Sequence, residues 1–391
     1  MPKADNIVNM PGYRLVSASG HNPLLLKVKI TLKPRCPHCR NTELRYKDKR
    51  LRLIKHVPFG GRRTFIEIES RKYCCKSCQR YFFQELPGIG KYQRATFKFK
   101  KHVSKLHRHG INQKCLAQEL HIGSATVERW YHQCFQRDDA NISNRHCPRV
   151  LGIDEHFFSK RKRFATTLCD LHKQRVFDLL PGRNKNEIHS DLHNLKGRLD
   201  VKVVCMDLSN NYRRIAKEYF PNALIVADRF HVIRLVNHAF MEAYKYFEPK
   251  IKSHRGLLAA LRTNPENLNY ARRKNRDKLF RECPSVKALY DFKVKLCHLL
   301  MYKKRTKRQC IGLAKTLFRI LRELAQSPIK PLKRLAKTIS SWREEIARMW
   351  RFTKNNGITE GFHRKMKLIQ RNAYGFRNFE NYRLRVRVLC S

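Results

Sequence analysis

From residue 148 onward the spacing of apolar and polar positions changes and reads as short strands and helices in succession. "RVLGIDEHFF", "RFATTLCDLH" and "QRVFDLLPG" predict three consecutive strands, the last closed by Pro181-Gly182. "NKNEIHSDLHNL" predicts a helix, "VKVVCMDL" a near-continuous apolar strand and "NNYRRIAKEYF" a second helix. "NALIVAD" then predicts another buried strand, and "RFHVIRLVNHAFMEAYKYF" a long helix. Three antiparallel strands leading into alternating helix and parallel strand predict an α/β fold, a mixed sheet with helices on both faces. Two of the apolar strands end in a carboxylate, Asp154 and Asp207.

Upstream, residues 102–136 carry two helical stripes, one of Cys115, Leu116 and Leu120, the other of Val127, Trp130, Tyr131 and Cys134. Gly123 is expected to end the first helix and Ser124 to cap the second, about Ala125 to Phe135, with Thr126 and Arg129 near its exposed start. This is the pattern of a helix-turn-helix whose second helix enters a major groove through Ser124, Thr126 and Arg129. A plain helical hairpin fits the same periodicity, and the surrounding charge tips the reading toward DNA.

Downstream, residues 241–350 are helical and densely basic, broken near Pro249, Pro265, Pro284 and Pro328. Trp342, Ile346, Met349 and Trp350 form a face expected to pack and not to stack on bases. Beyond it, Asn355, Asn356 and Gly357 predict a turn and Thr359 a cap for a helix with Glu360 in its first turn. Phe362, Met366 and Ile369 make that helix's apolar stripe, while Glu360, Arg364, Lys367 and Arg371 share the opposite face. An ordinary salt bridge from Glu360 to Arg364 stands beside any chemical role for this acid.

Charge identifies the partner. The 391 residues include 85 Lys+Arg against 31 Asp+Glu, a formal charge of +54 spread along the chain, which points to nucleic acid. No apolar run approaches the roughly 18–20 residues that span a bilayer, and the first twenty residues lack the pattern of a secretory signal, so a cytoplasmic protein with no membrane partner is expected. Cys169 and Cys205 sit singly in apolar runs and read as small buried hydrophobes.

The paired cysteines differ. "CPHC" supplies Cys36 and Cys39, "CCKSC" supplies Cys74, Cys75 and Cys78, and the stretch between is β-rich. Four thiolates in this arrangement suit one structural Zn²⁺ in a zinc ribbon. Cys36, Cys39, Cys75 and Cys78 are preferred because Cys75 restores the two-residue spacing; Cys74 with a longer turn remains open, and His38 is expected to face solvent. So small a unit is expected to lose its fold without metal.

The acids at strand ends need partners, since desolvating a bare charge costs several kcal/mol. Arginine is the ordinary partner in so basic a chain. Two carboxylates about 4 Å apart repel by roughly 4 kcal/mol at an effective dielectric of 20, a penalty that a divalent metal removes. Side chains alternate along a strand, so only one of Asp154 and Glu155 can enter such a site; Asp154 is the choice. Oxygen-rich sites suit Mg²⁺ or Mn²⁺.

"GIDE", "VVCMDLSNNYRRIAKEYFPNALIVADRFHVI" and "NNGITEGFHRKMKLIQRNAYGFRNFENYRLR" resemble the core of the ISL3 family of insertion-sequence transposases, and "CPHC…CCKSC" before a helix-turn-helix is similar to that family's amino-terminal part. The resemblance implies an RNase H-like fold with a DDE triad of Asp154, Asp207 and Glu360 holding two Mg²⁺ (or Mn²⁺) ions. It also implies cleavage and transfer of double-stranded DNA at transposon ends and target, and a homodimer on that DNA in a prokaryotic cytoplasm. Asp228 and His231 in "ADRFH" match a family motif and are secondary candidates, with a helix cap and a packed core residue as their structural readings. His363 is a weaker one, able to approach a phosphate. Arg364, Lys367 and Arg371 are candidate phosphate contacts.

The expected organisation is a zinc ribbon over 1–90, a helix-turn-helix over 91–146, the first part of the catalytic core over 147–240, a helical insertion over 241–350 and the core's last helix over 351–391. Two other functions fit the same parts: a non-catalytic DNA-binding regulator, and a metal-dependent nuclease that cuts without joining.

Overall fold

The computed structural model describes residues 8–159, 163–352 and 357–391, so the expected turn at Asn355 and Asn356 lies outside the described residues. The chain divides into two compact units, Met1–Asp138 and Asp139–Ser391.

The first unit is built on one sheet of β1 (Tyr13–Ser19), β2 (Leu24–Ile30), β3 (Leu44–Phe59), β4 (Arg62–Cys75) and β5 (Tyr81–Phe83). Its order is β1-β2-β4-β3, with β5 paired to β4. The hairpin between β3 and β4 turns on Gly60 and Gly61 at φ +58° and +73°, a two-residue turn that a side chain would strain. Leu24, Leu26, Ile54, Ile66 and Ile68 pack with Val8, Met10 and Leu86 into a core of its own.

Three helices follow: α1 (Phe97–Arg108), α2 (Gln113–Glu119) and α3 (Ser124–Ser143). Thr96 and Asn112 cap the first two by accepting from the backbone N–H of Phe99 and Cys115. Three expectations are corrected here. α2 ends at Glu119, not at Gly123, and His121 takes the left-handed turn at φ 48°. Ser124 is the first helical residue and not the cap, because the Gly123 carbonyl already accepts from Thr126 and Val127. α3 also runs eight residues past Phe135, to Ser143. Leu116, Val127, Tyr131 and Phe135 are buried between these helices, whereas Cys115 is exposed.

The second unit centres on β6 (Val150–Ser159), β7 (Arg163–Asp170), β8 (Arg175–Pro181), β9 (Val203–Met206) and β10 (Leu224–Ala227), in the order β10-β9-β6-β7-β8. β6, β7 and β8 pair antiparallel; β9 joins β6, and β10 joins β9, in parallel. This is the mixed sheet expected of an RNase H-like fold. Pleating divides its side chains between two cores. Leu168, Val204 and Met206 face α4 (Lys185–His193), α5 (Asn210–Tyr219) and α6 (Arg229–Phe247). Cys169 and Cys205 face the other way, where Met366 and Ile369 of α13 (Gly357–Asn372) and Tyr382 and Val386 of α14 (Phe379–Leu389) cover them.

Between α6 and α13 lie α7 (Arg255–Arg262), α8 (Tyr270–Glu282), α9 (Pro284–Met301), α10 (Lys307–Gln326), α11 (Lys330–Ser341) and α12 (Arg343–Arg351). Trp342, Ile346, Met349 and Trp350 are buried within this helical insertion. It is pinned to α6 by buried Arg229, whose guanidinium donates to the carbonyls of Leu300 and Tyr302 at 3.2 and 3.1 Å. Arg213 of α5 also forms a bidentate pair with Glu345 of α12 at 2.8 and 2.6 Å.

Candidate active site

Strand register sets out the site before any side chain is considered. Ile153 lies opposite Met206 and Met206 opposite Ala227, so the next position on each of three adjacent strands is an aspartate: Asp154, Asp207 and Asp228. Asp154 is buried, and its carboxylate accepts from the Glu155 backbone N–H at 2.8 Å. Burial first, and the Asp207 charge second, push its pKa up to about 7. Glu155 points away, as alternation requires, and pairs with Arg183 at 3.4 Å.

Asp228 is fully buried at the start of α6, and His231 stands one turn on. Nδ1 of His231 lies 2.7 Å from both Asp207 Oδ1 and Asp228 Oδ2. One N–H can be aimed at only one of them. It bonds Asp228, and Asp207 Oδ1 is left buried without a hydrogen-bond partner. Burial works against the imidazolium, but the two carboxylates beside it, Asp207 and Asp228, outweigh it and raise the His231 pKa to about 10. Asp207, Asp228 and His231 offer ligand atoms within 4.8 Å of one another. Two acids and a histidine this close, with one buried carboxylate oxygen short of a hydrogen bond, fit a hard divalent cation.

α13 reaches this cluster through His363. Its Nδ1 is 3.8 Å from Asp154 Oδ2, and its Nε2 is 3.2 Å from the hydroxyl of Thr167, the residue opposite Asp154 on β7. Burial lowers its pKa to about 4, so the ring is neutral. Glu360 does not converge with the aspartates. It is exposed and pairs with Arg364 at 3.6 Å, the ordinary i, i+4 bridge. Thr359 is not a cap: α13 begins at Gly357, and Thr359 is buried inside its first turn. Arg364, Lys367 and Arg371 line the exposed face, while Met366 and Ile369 are buried.

Two neighbours escaped sequence reasoning. Thr167 is one. The other is the pair of His156 and Tyr382, joined at 2.7 Å between His156 Nε2 and the hydroxyl, with His156 5.0 Å from the His363 ring. The available signal was position: His156 lies two residues beyond Asp154 and so shares its face.

The cysteines converge separately, in the first unit. Cys36 Sγ lies 3.6 Å from Cys78 Sγ, and Cys39 Sγ lies 3.4 Å from Cys75 Sγ. The two knuckles repeat one backbone design. Arg40 N bonds the Cys36 carbonyl with Arg40 at φ 61°, and Gln79 N bonds the Cys75 carbonyl with Gln79 at φ 55°. That repetition selects Cys75; the Cys74 thiol instead faces the carbonyls of Cys75 and Gln79 at 3.8 Å. His38 is exposed beside Arg80. Four thiols at these separations fit a closed tetrahedral zinc site of the structural kind.

Residues 151–386 match a family model described as a transposase, and residues 33–78 match one described as the zinc-finger of transposase IS204/IS1001/IS1096/IS1165. The chain is similar to the transposase for insertion sequence element IS1001 of Bordetella parapertussis, 24% identical over 368 residues that cover 90% of this chain and 87% of that one. No helix among the described residues is long and apolar enough to cross a membrane.

Proposed function

Because the chain belongs to the ISL3 family of transposases, we propose that it binds the ends of an insertion sequence and cuts and joins DNA strands through the acids Asp154, Asp207 and Glu360. The observation that carries this reading is the row of Asp154, Asp207 and Asp228 on neighbouring strands of a buried sheet, in a chain of net charge +54. Asp207 is paired with the His231 imidazolium and Asp154 lies beside the neutral His363 ring, so neither is locked to an arginine among the described residues.

Two Mg²⁺ or Mn²⁺ ions held by Asp154, Asp207 and Glu360 would supply the charge that makes an attacking hydroxyl acidic and offsets charge gathering at the phosphoryl group. Asp228 fixes His231, and the His231 charge in turn offsets that of Asp207. To hold metal Glu360 would have to give up its pair with Arg364, which as an exposed i, i+4 bridge is worth about 0.2–0.5 kcal/mol, and approach the aspartates. Arg364, Lys367 and Arg371 are then free to hold phosphates. Ser124, Thr126 and Arg129 read the double-stranded end, the zinc-bound knuckles shape the domain beside them, and a homodimer brings two ends together.

Strand cleavage and joining of a labelled end tests this. Asp154→Asn and Asp207→Asn are expected to bind the end and to lose both steps in Mg²⁺; activity persisting in either refutes the triad. A regulator would bind and cut nothing as wild type, and a nuclease would hydrolyse without joining.

A further inference from the structure

Beside the start of α3 the first unit contains a cleft of about 800 Å³, walled on one side by the β3–β4 sheet and on the other by the helix. Lys55, Arg94, Lys100 and Arg129 line it, and no carboxylate does among the described residues. Phe65 and Trp130 add aromatic surface. A second cavity, of about 690 Å³ between α1 and α3, shares Lys100 and Trp130 with the first and continues with Lys101, Lys105, Arg108 and Arg137 and one acid, Asp138, which pairs with Arg108.

These cations are held together at a cost. Lys100 sits 5.5 Å from the Trp130 ring centroid, and burial and then the nearby Arg129 charge lower its pKa. Lys55 is likewise lowered, by burial and then by Arg63. Its ammonium also donates to the carbonyls of Leu120 and His121 at 3.2 and 2.6 Å, which anchors the helix-turn-helix turn to the sheet. The two walls are thereby held at a set separation. Four cations gathered in a cleft lined by no acid among the described residues, Lys55 and Lys100 of them partly buried, call for a polyanion. Aromatic surface among them calls for one that carries π faces.

We propose that this cleft holds an unpaired DNA strand, its phosphates on Lys55, Arg94, Lys100 and Arg129 and a base against Phe65 or Trp130. This rests on the reading of the protein as a DNA end-binder and adds to it: Thr126 and Arg129 line the cleft, so they serve a strand as well as a groove. The strand is distinguished from a duplex by size. A cavity of this volume admits a few nucleotides, whereas a duplex stays outside it and meets a protein through its grooves.

The chain's three tryptophans make the test direct, since Trp342 and Trp350 are buried in the insertion and Trp130 is not. Zinc-loaded, full-length protein without Mg²⁺ is titrated with oligo-dT and with a blunt duplex of equal length, following tryptophan fluorescence and anisotropy. Saturable quenching by oligo-dT that duplex does not reproduce, lost in Trp130→Phe, is expected. Gln133, exposed on the same cleft, gives a charge test that spares the fold. Gln133→Glu should weaken oligo-dT binding on the order of tenfold and Gln133→Lys should tighten it, with zinc content unchanged. Equal quenching by duplex, or affinities that ignore both Gln133 variants, would overturn the proposal. Binding here is read without cleavage, so it survives or fails independently of the acidic triad.

Discussion

Nδ1 of His363 lies 3.8 Å from Asp154 Oδ2, so the helix that carries Glu360 meets the sheet at the buried acid itself. Glu360 is three residues before His363 and therefore neighbours it on the helix surface. His363 is held from behind by the Thr167 hydroxyl at 3.2 Å. We predict that it positions the helix against the sheet beside Asp154. His363→Ala is expected to lower single-turnover cleavage about 10–100-fold while end binding stays unchanged. Thr167→Val should produce a smaller loss of the same kind. If His363→Ala cleaves at the wild-type rate over a Mg²⁺ titration, the contact is incidental.

The buried pair of His156 and Tyr382 predicts an acid limit to stability. Burial, then the neighbouring His363 and Lys367, lower the His156 pKa to about 3, against about 6.5 in the unfolded chain. A depressed folded value means that the unfolded state takes up the proton first. The His156 contribution is therefore complete above about pH 6.5 and is lost progressively as pH falls toward 3, each tenfold in proton affinity being worth about 1.4 kcal/mol. His156→Gln keeps an acceptor for Tyr382 and removes the titration. Its melting temperature should depend less steeply on pH between about 4 and 6.5 than that of the wild type.

How much of this was legible in the sequence depends on range. Each strand of the second unit was readable because its apolar run is bounded by polar or Pro/Gly positions, and Asp154, Asp207 and Asp228 could be singled out because each follows such a run. That the three stand in a row could not be read, since it depends on Ile153, Met206 and Ala227 pairing across long separations. Tyr382 gave no local sign of meeting His156, 226 residues away. The extension of α3 was hidden by "QRDDANIS", a polar run whose acids are partnered elsewhere, Asp138 by Arg108 and Asp139 by Arg387. The helix-turn-helix turn was misplaced because glycine is the usual left-handed residue, and here His121 takes that conformation with its carbonyl bonded by Lys55.

Metal removal should act locally. The sequence led to the expectation that the ribbon unfolds without zinc, but the sheet has a core around Leu26, Ile54 and Ile66 that does not involve the thiols. Chelation is expected to free amide hydrogens to exchange first around residues 36–40 and 75–83, with β2 and the middle of β4 still protected. Hydrogen exchange read by mass spectrometry checks this, and simultaneous loss of protection across the whole sheet would show that the metal and that core form one cooperative unit.

Besides its buried apolar face, α14 is tied to the second unit by the ion pairs of Arg383. Arg383 Nε and Nη2 bond Asp178 Oδ1 and Oδ2 at 2.9 and 2.7 Å, a bidentate pair, and Nη1 bonds Asp191 at 2.9 Å. Asp178 lies on β8 and Asp191 on α4, so a single guanidinium joins α14 to both. These groups are largely buried, and removing one partner of such a set leaves the others charged and dry. Arg383→Met is therefore expected to destabilise the second unit by about 3–5 kcal/mol, well beyond what its lost packing would cause. Arg383→Lys keeps the charge but not the planar fork, and should fall between the two. Replacing the acid as well separates the causes: if the pair matters through an uncompensated charge, Arg383→Met with Asp178→Asn should recover part of the loss, measured by denaturant unfolding. An additive double variant would show that Arg383 acts by filling space alone.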